Sequence, residues 1–280
     1  MRHLFSVWHE AFSRIKAARH VLLVFDYDGT LTPIVDNPEQ ADLPEETKEV
    51  IQALTQQRRF TLGIISGRAL SDLRHRIGIE ELIYAGNHGL EIEGPDISFI
   101  NPMAEDTKPV LHTIYQVLSS VLKPIPGVLV EDKELTLSVH YRMVGEGESN
   151  LVSSIFEGVV STARSLKKIR ITSGKKVYEV RPEVDWDKGK AIAMILDRFG
   201  RSRAALKPLA VFLGDDLADE DGFKVVNKRG GISIFVGGEK NDSAARYYLK
   251  SPKEVEQFLS MLLSMQKGPR VGRGKMGTNM

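Results

Sequence analysis

The sequence has no cysteine among its 280 residues. This absence excludes disulfides, thiol nucleophiles and cysteine metal sites, and it is typical of proteins in a reducing compartment. The sequence also lacks an excess of charge of one sign, because 38 basic and 37 acidic residues leave a formal net charge of +1. Such a balance does not favour nucleic acid or an acidic membrane surface as a partner.

A long apolar run is also missing from the chain. A transmembrane helix needs about 20 mostly apolar residues, and no stretch of this sequence approaches that length. Charged residues interrupt residues 1–20, which predicts an amphipathic lead-in helix and not a signal peptide. We therefore expect a cytoplasmic globular protein that does not bind membranes.

Short apolar runs alternate with helical patterns along most of the chain. This order is typical of an α/β domain with a mainly parallel, Rossmann-like sheet. The predicted strands are 21–25, 61–65, 82–85, 209–213 and 232–236. The predicted helices are 44–59, 71–76, 188–199, 220–228, 243–249 and 252–265.

A segment of different pattern, 104–180, interrupts this alternation. It predicts a helix, two strands, a second helix and two more strands, which suit a small α+β unit with one sheet. Because pieces of the α/β domain flank it, we expect an inserted cap domain. The predicted division is core 1–103, cap 104–180, core 181–265 and a disordered basic tail 266–280.

The most informative feature is the pair Asp26 and Asp28 in VLLVFDYDGT, directly after the first predicted strand. Alternation along the strand turns both carboxylates the same way, and Gly29 allows a tight turn behind them. Two carboxylates this close repel each other unless a cation or a proton offsets one charge. The pair therefore indicates metal-assisted chemistry, although an ordinary solvated turn would use the same residues.

Another acidic motif, GDDLADEDG, follows the fourth predicted strand. The carboxyl ends of parallel strands meet at one edge of a sheet, so this motif is expected near Asp26. Asp215 stands at the strand exit, where packing gives no reason for a charge. Such oxygen ligands without histidine or cysteine favour Mg²⁺. The later acids Glu220 and Asp221 are equally explained as the first turn of a helix.

Two further motifs supply groups that suit an anion. ISGR places Ser66 and the amides of Gly67 and Arg68 at a strand-to-helix turn, which is a natural anion cradle. Lys188 opens a predicted helix, where its charge opposes the helix dipole. We therefore expect Lys188 to pair with a phosphate group or with Asp26. Lys190 is the alternative residue for this role.

The ordered set DYDGT, ISGR, KGKA and GDDLADEDGF resembles the motifs of the haloacid dehalogenase superfamily of phosphotransferases. AGNHGLEI, EDKELTLSVHYR and YEVRP make roughly 20–262 similar to the trehalose-6-phosphate phosphatases. This resemblance implies a haloacid dehalogenase-like core with a cap. It also implies Mg²⁺-dependent hydrolysis of trehalose 6-phosphate to trehalose and phosphate through an aspartyl phosphate. Ala218 departs from the family pattern, in which a threonine is expected.

The resemblance also implies roles for the motif residues. Asp26 would be the nucleophile and Asp28 the general acid and base. Phosphate oxygens would be held by Ser66 and Lys188. The metal would be bound by the Asp26 carboxylate, the Asp28 backbone carbonyl and Asp215, with Asp216 and Asp219 behind these ligands.

Sugar recognition would fall to the cap and to the loops facing it. By resemblance, the substrate-binding residues are Gly67, Arg68, His88, Glu131, Lys133 and Glu179. The pattern of 131–133 by itself is equally that of a charged hairpin turn.

Two other functions stay open. The substrate of the same chemistry could be another glycosyl phosphate, such as glucosylglycerol phosphate or glucosylglycerate phosphate, or the enzyme could be a sugar phosphomutase. The chain could instead be an inactive regulatory module bound to a glycosyltransferase. The expected partners are a small sugar phosphate and, functionally, a trehalose-6-phosphate synthase. The sequence does not indicate an oligomeric state.

Overall fold

The structure is a computed structural model that describes residues 1–35, 38–145, 147–174, 176–202 and 207–265. The predicted tail 266–280 lies outside these residues. Within the described part of the chain, no helix has the length and apolar character needed to cross a membrane.

The chain alternates strands and helices in the order expected of an α/β protein. The strands are β1 Arg2–His3, β2 Val21–Asp26, β3 Phe60–Ile65, β4 Ile83–Gly86, β5 Glu91–Gly94, β6 Ile97–Ile100, β7 Leu129–Asp132, β8 Leu137–His140, β9 Ile169–Gly174, β10 Val177–Pro182, β11 Leu209–Gly214, β12 Ile232–Val236 and β13 Tyr247–Leu249. The helices are α1 Trp8–Ala17, α2 Glu45–Thr55, α3 Leu70–Ile77, α4 Pro102–Glu105, α5 Lys108–Leu122, α6 Ser149–Ser165, α7 Lys188–Ser202, α8 Glu220–Lys228 and α9 Pro252–Ser264.

The larger sheet runs in the order β1-β13-β12-β11-β2-β3-β4-β5-β6. In this order, the seven strands from β1 through β4 pair in parallel. Strands β5 and β6 add an antiparallel edge. The mainly parallel α/β fold is therefore confirmed. Because β2 lies between β11 and β3, the carboxyl ends of these three strands open at one edge of the sheet.

The apolar run of β2 is buried on both faces of the sheet, as helices on both sides require. Leu23 and Phe25 face a cluster with α1, α2, α3 and α9, whereas Leu22 and Val24 face a second cluster with α7 and α8. This two-sided packing fixes the strand register, since a slip of one residue would exchange the two faces.

The four-stranded sheet runs in the order β7-β8-β10-β9 and is antiparallel throughout. Helices α5 and α6 pack on it and build a third apolar cluster that contains Leu118, Val139, Phe156 and Val180. The Phe156 ring stacks on Tyr178 with 4.4 Å between ring centroids. The predicted order of helices and strands is thus present in the insert. The domain boundaries themselves stay a prediction.

The structure differs from the sequence analysis at three places. The predicted helix 243–249 is wrong, because Tyr247–Leu249 forms β13 between β12 and β1. Tyr247 and Leu249 are buried in alternation, so sheet pairing outweighs local helix propensity. The hairpin of β5 and β6 was not predicted at all. The lead-in helix is shorter than 1–20, since α1 begins at Trp8 behind β1.

We predict that Phe156→Ala loosens the four-stranded sheet and its helices while the larger sheet stays protected. Removal of this fully buried ring should cost about 3–5 kcal/mol of local stability. Hydrogen exchange measured by mass spectrometry should accelerate in α5, α6 and β7 to β10. The matched variant Phe212→Ala, in the apolar cluster of β11, should loosen the larger sheet instead. Equal loosening of both sheets by either variant would contradict the proposed division into core and cap.

Candidate active site

Three neighbouring strands deliver polar residues to the same edge of the larger sheet. Asp26 is the last residue of β2, Ser66 directly follows β3, and Asp215 directly follows β11. The pairing of Asp26 with Ile65 and of Leu213 with Phe25 sets these strand ends level with one another. The predicted convergence of motifs at one edge is therefore present.

Lys188 joins the acidic residues of this edge. Its ammonium donates to Asp26 Oδ1 at 2.6 Å and to Asp219 Oδ1 at 2.7 Å. All three side chains are almost fully buried. The predicted contact of Lys188 with Asp26 is present, whereas the alternative, Lys190, contacts Asp185 and Asp187. Lys188, the first residue of α7, thus compensates the negative charge of two buried carboxylates.

The loop after β11 is held in shape by Asp219. Its Oδ2 accepts hydrogen bonds from the amides of Asp215 at 3.0 Å and Asp216 at 3.1 Å. Asp216 in turn accepts from the amide of Ala218 at 2.9 Å. The two acids expected behind the metal ligands therefore stabilise the turn that presents Asp215. Ala218 takes part through its backbone, which the missing threonine hydroxyl does not alter.

The buried carboxylates carry more negative charge than Lys188 compensates. Burial raises the pKa of Asp26 well above its usual range, against the opposing effect of Lys188, and Asp215 adds to the rise. Burial together with the neighbouring Asp219 and Asp216 raises the pKa of Asp215 to about 7. Both shifts indicate a site that gains from an additional cation.

The donor set fits a hard divalent cation. Asp26, Asp215 and Asp219 each offer a carboxylate oxygen, and these three atoms lie within 4.8 Å of one another. Oxygen donors without nitrogen or sulfur are the ligands that Mg²⁺ prefers. Asp219, expected behind the metal ligands, lies in this group while its two oxygens accept from Lys188 and from the amides of Asp215 and Asp216. The metal contact expected of Asp28 was through its backbone carbonyl, and that contact stays a prediction.

Gly29 lets the turn after β2 approach Asp215. Its φ of +86° lies in the left-handed region, and a Cβ built there would lie 2.2 Å from Asp215 Oδ2. The next residue, Thr30, donates to Asp215 Oδ1 at 3.4 Å. A side chain at position 29 would therefore push the Asp215 carboxylate away.

The two carboxylates of the DYDGT motif have different partners. Asp28 is 40% exposed, and both of its oxygens accept hydrogen bonds from Arg68 at 2.7 Å. Asp26 instead contacts Lys188. The mutual repulsion expected from their spacing is relieved by giving each carboxylate its own cation.

The ISGR turn joins β3 to α3, and its role as an anion cradle stays a prediction. Ser66 is buried, and its Oγ accepts from the Arg68 amide at 3.2 Å. Gly67 lies against the ring of His88, since a Cβ there would be 2.8 Å from the ring. Helix α3 begins shortly afterwards, at Leu70.

The predicted substrate-binding residues of the cap meet His88 at the junction with the core. His88 Nε2 donates to Glu179 Oε1 at 3.0 Å. Lys133 Nζ donates to the Gly67 carbonyl at 3.2 Å and lies 3.7 Å from Glu131 and 4.0 Å from Glu179. The structure therefore brings Gly67, His88, Glu131, Lys133 and Glu179 together.

Electrostatics keep the cap residue Glu131 ionised and leave His88 neutral. Burial acts to raise the pKa of Glu131, but the hydrogen bond from His140 and the charge of Lys133 outweigh it and lower the pKa to about 2. Burial lowers the pKa of His88, against the opposing effect of Glu179. The junction thus presents a fixed carboxylate and a buried imidazole, a combination suited to hydroxyl groups.

Sequence reasoning missed two residues of this junction. Asn87 is fully buried and donates to the Lys133 carbonyl at 3.0 Å and to Glu91 at 2.8 Å. Arg181 is 9% exposed, and its guanidinium lies 4.0 Å from Glu179. Both residues stand in the motifs AGNHGLEI and YEVRP. These motifs are recognisable in the sequence, but the buried positions of the two side chains depend on contacts between distant segments.

Known proteins resemble this chain in sequence and in fold. The model of the trehalose-phosphatase family matches residues 24–253. Trehalose 6-phosphate phosphatase RA3 of Zea mays is 36% identical over 267 residues, which cover 90% of this chain and 72% of that protein.

Two solved structures share the fold. The C-terminal domain of C. albicans trehalose-6-phosphate phosphatase has a TM-score of 0.76 at 23% identity, covering 91% of this chain and 96% of that one. A haloacid dehalogenase-like hydrolase from Bacteroides thetaiotaomicron has a TM-score of 0.60 at 17% identity, covering 87% and 99%. At these identities the likeness concerns the fold.

We predict that Gly29→Ala weakens Mg²⁺ binding by about 10–100-fold, because its methyl group displaces the Asp215 carboxylate. Isothermal titration calorimetry with MgCl₂ measures this directly. Gly230→Ala is the matched control, since Gly230 has a φ of +72° with no atom within 4 Å of the built Cβ. Both variants should carry a similar backbone strain of about 1–2 kcal/mol. Equal Mg²⁺ affinity in the two variants would contradict a metal site at Asp215.

Proposed function

The chain belongs to the trehalose-phosphatase family, and from this membership we infer that it hydrolyses trehalose 6-phosphate to trehalose and inorganic phosphate. It is therefore a phosphoric monoester hydrolase on a haloacid dehalogenase-like fold. The family resemblance carried by the sequence motifs is confirmed. The match covers the whole region that contains the acidic edge and the cap junction.

One observation carries the proposed chemistry: a buried carboxylate at a strand end lies beside a buried ammonium and two further carboxylates. Asp26 contacts Lys188 at 2.6 Å and lies in the cluster with Asp215 and Asp219. This arrangement gives a nucleophile, a positive group for a phosphate and a set of oxygen ligands at one point. It supports phosphoryl transfer to Asp26 as the central step.

In the proposed mechanism, Asp26 attacks the phosphorus while the bond from phosphorus to the sugar oxygen breaks. Asp28 gives a proton to the leaving sugar oxygen. Water then cleaves the aspartyl phosphate after Asp28, now a carboxylate, takes its proton. The two halves of the reaction thus use one group first as acid and then as base.

Mg²⁺ is the proposed cofactor, held by Asp26 and Asp215 together with the backbone carbonyl of Asp28. When bound, it supplies the positive charge that lets a carboxylate approach a phosphate dianion. Lys188 is proposed to contact a phosphate oxygen while it keeps Asp26 in place. Ser66 is proposed to donate a hydrogen bond to another phosphate oxygen as charge redistributes.

Sugar recognition is proposed to fall to the junction of cap and core. Glu131, Lys133, Glu179 and His88 offer fixed polar groups, which a sugar needs for orientation. A cap that closes over the substrate would also exclude water from the phosphoryl group. A cytoplasmic location and a functional association with a trehalose-6-phosphate synthase stay predictions.

Asp26→Asn should abolish phosphate release while leaving the fold intact, because Lys188 keeps its second carboxylate partner, Asp219. The substitution keeps the side-chain volume but removes the nucleophile, so the rate should fall on the order of 10³-fold or more. Phosphate release is measured with trehalose 6-phosphate, glucosylglycerol phosphate and glucosylglycerate phosphate, each with and without Mg²⁺. If the wild type prefers another ester, the assignment of trehalose 6-phosphate as the substrate is wrong. A wild type that releases no phosphate from any of them would favour an inactive module.

Glu131→Ala should lower kcat/KM for trehalose 6-phosphate by about 10–100-fold, because one fixed acceptor for the sugar is lost. The same variant should lower kcat/KM for 4-nitrophenyl phosphate by less than about 3-fold, since this ester has no sugar to bind. Glu157→Ala is the control, because Glu157 pairs with Arg164 on the exposed side of α6. Equal losses of kcat/KM with both esters would show that Glu131 does not recognise the sugar.

A further inference from the structure

Arg68 grips the Asp28 carboxylate with two parallel hydrogen bonds. Its Nε donates to Asp28 Oδ2 and its Nη2 donates to Asp28 Oδ1, both at 2.7 Å. Such a fork fixes the rotation of a carboxylate as well as its position, which a single ammonium contact does not. The orientation of Asp28 therefore depends on the orientation of Arg68.

Arg68 is itself held on two further sides. Its Nη1 donates to Asp72 Oδ2 at 2.9 Å, one turn along in α3. Its guanidinium lies over the ring of Tyr27, 5.4 Å from the centroid. Tyr27 is fully buried, and its hydroxyl donates to the Ala41 carbonyl at 2.8 Å. The guanidinium thus rests on a fixed ring and a helix-borne carboxylate.

Asp72 is likewise anchored. Its second oxygen, Oδ1, accepts from Arg76 Nε at 2.8 Å, and Arg76 also contacts the exposed Asp42 at 3.1 Å. Charges of alternating sign therefore run from Asp28 to the surface. Each step is a charge-assisted hydrogen bond, the kind that holds geometry best.

The guanidinium of Arg68 is engaged by carboxylates, while its predicted contact with the substrate stays a prediction. All three guanidinium nitrogens donate to Asp28 or Asp72, and the residue is 7% exposed. Contact with a sugar would require some of these bonds to break. Asp28, in contrast, is 40% exposed and so remains open to a substrate.

We propose that Arg68 and Asp72 are positioning residues for Asp28: Asp72 fixes the Arg68 guanidinium, and the Arg68 fork aims the Asp28 carboxyl at the leaving sugar oxygen. This inference rests on the proposed function, in which the protonated Asp28 keeps one oxygen on Arg68 and gives the proton of its other oxygen to the sugar oxygen as the bond to phosphorus breaks. A proton donor acts efficiently only within hydrogen-bond reach and at the right angle, so a rigid support contributes to the rate.

The leaving group separates this role from a merely structural one. A sugar leaves as a basic alkoxide and needs the proton, whereas 4-nitrophenol leaves readily as its anion. The ratio kcat/KM covers the steps up to departure of the leaving group when phosphoryl transfer is irreversible. A misaimed Asp28 should therefore slow the sugar ester selectively, while general damage to the site should slow both esters alike.

The test compares Asp72→Ala and Arg68→Lys with the wild type on both esters. For each variant, kcat/KM for trehalose 6-phosphate should fall by about 10-fold, a part of the effect of general acid catalysis. For 4-nitrophenyl phosphate the fall should stay below about 2-fold, because no proton is needed. The matched control Asp42→Ala removes the other carboxylate that contacts Arg76, and it should change neither value.

The Asp28→Asn enzyme provides a second test of the positioning role. If Asp72 acts through Asp28, Asp72→Ala should cause no further loss in an Asp28→Asn enzyme, so the two effects should not add. Thermal unfolding and circular dichroism identify any variant that fails to fold, and Asp72→Asn then replaces Asp72→Ala.

Equal losses with both esters, no loss with either, or full additivity with Asp28→Asn would overturn the positioning role. Failure of the proposed function has a different outcome. In that case the wild type itself would not hydrolyse trehalose 6-phosphate, and the comparison of leaving groups would be made with the alkyl ester that it does hydrolyse.

Discussion

The structure depends on one buried ion cluster, in which the Lys188 ammonium bridges Asp26 and Asp219. A buried charge is strongly destabilising without a partner, so each of the three residues needs the others. The cluster ties the end of β2 to the start of α7 and to the loop after β11. Segments far apart in the sequence are thereby fixed around a single point, and the proposed nucleophile Asp26 is one of the residues that meet there.

The same cluster makes this edge of the sheet suited to a cation. Lys188 offers one positive charge to Asp26 and Asp219, while Asp215 stands within the same 4.8 Å group. Burial, Asp219 and Asp216 raise the pKa of Asp215 to about 7, which shows how poorly a further negative charge is tolerated. The surplus of carboxylates at this edge therefore favours a cation as an additional partner. The parallel sheet supplies the geometry, since it is the level ends of β2 and β11 that bring these oxygens together.

Sequence reasoning reached those features that depend on local pattern. Strands such as β2 and β11 are uninterrupted apolar runs, and Lys188 is out of place at a helix start, so both were predicted. Strand β13 could not be predicted from its own residues, because its partners are β12 and the chain's second and third residues. Arg68 illustrates the same limit in the site: its motif indicates an anion cradle, but a motif does not tell which carboxylate the side chain reaches. The pattern fixes which residues meet at the edge, whereas packing decides how they pair.

The loop after β4 joins the Ser66 turn of the core to the polar residues of the cap. Asn87 and His88 have φ values of +50° and +59°, a left-handed conformation that costs non-glycine residues about 1–3 kcal/mol each. Their contacts offset this strain: Asn87 binds the Lys133 carbonyl and Glu91, and His88 binds Glu179. The His88 amide also donates to the Ser66 carbonyl at 2.8 Å. A strained pair is thus held between the Ser66 turn of the core and the polar residues of the cap. The contacts of the cap with His88 are therefore one hydrogen bond away from Ser66, the residue proposed to bind a phosphate oxygen.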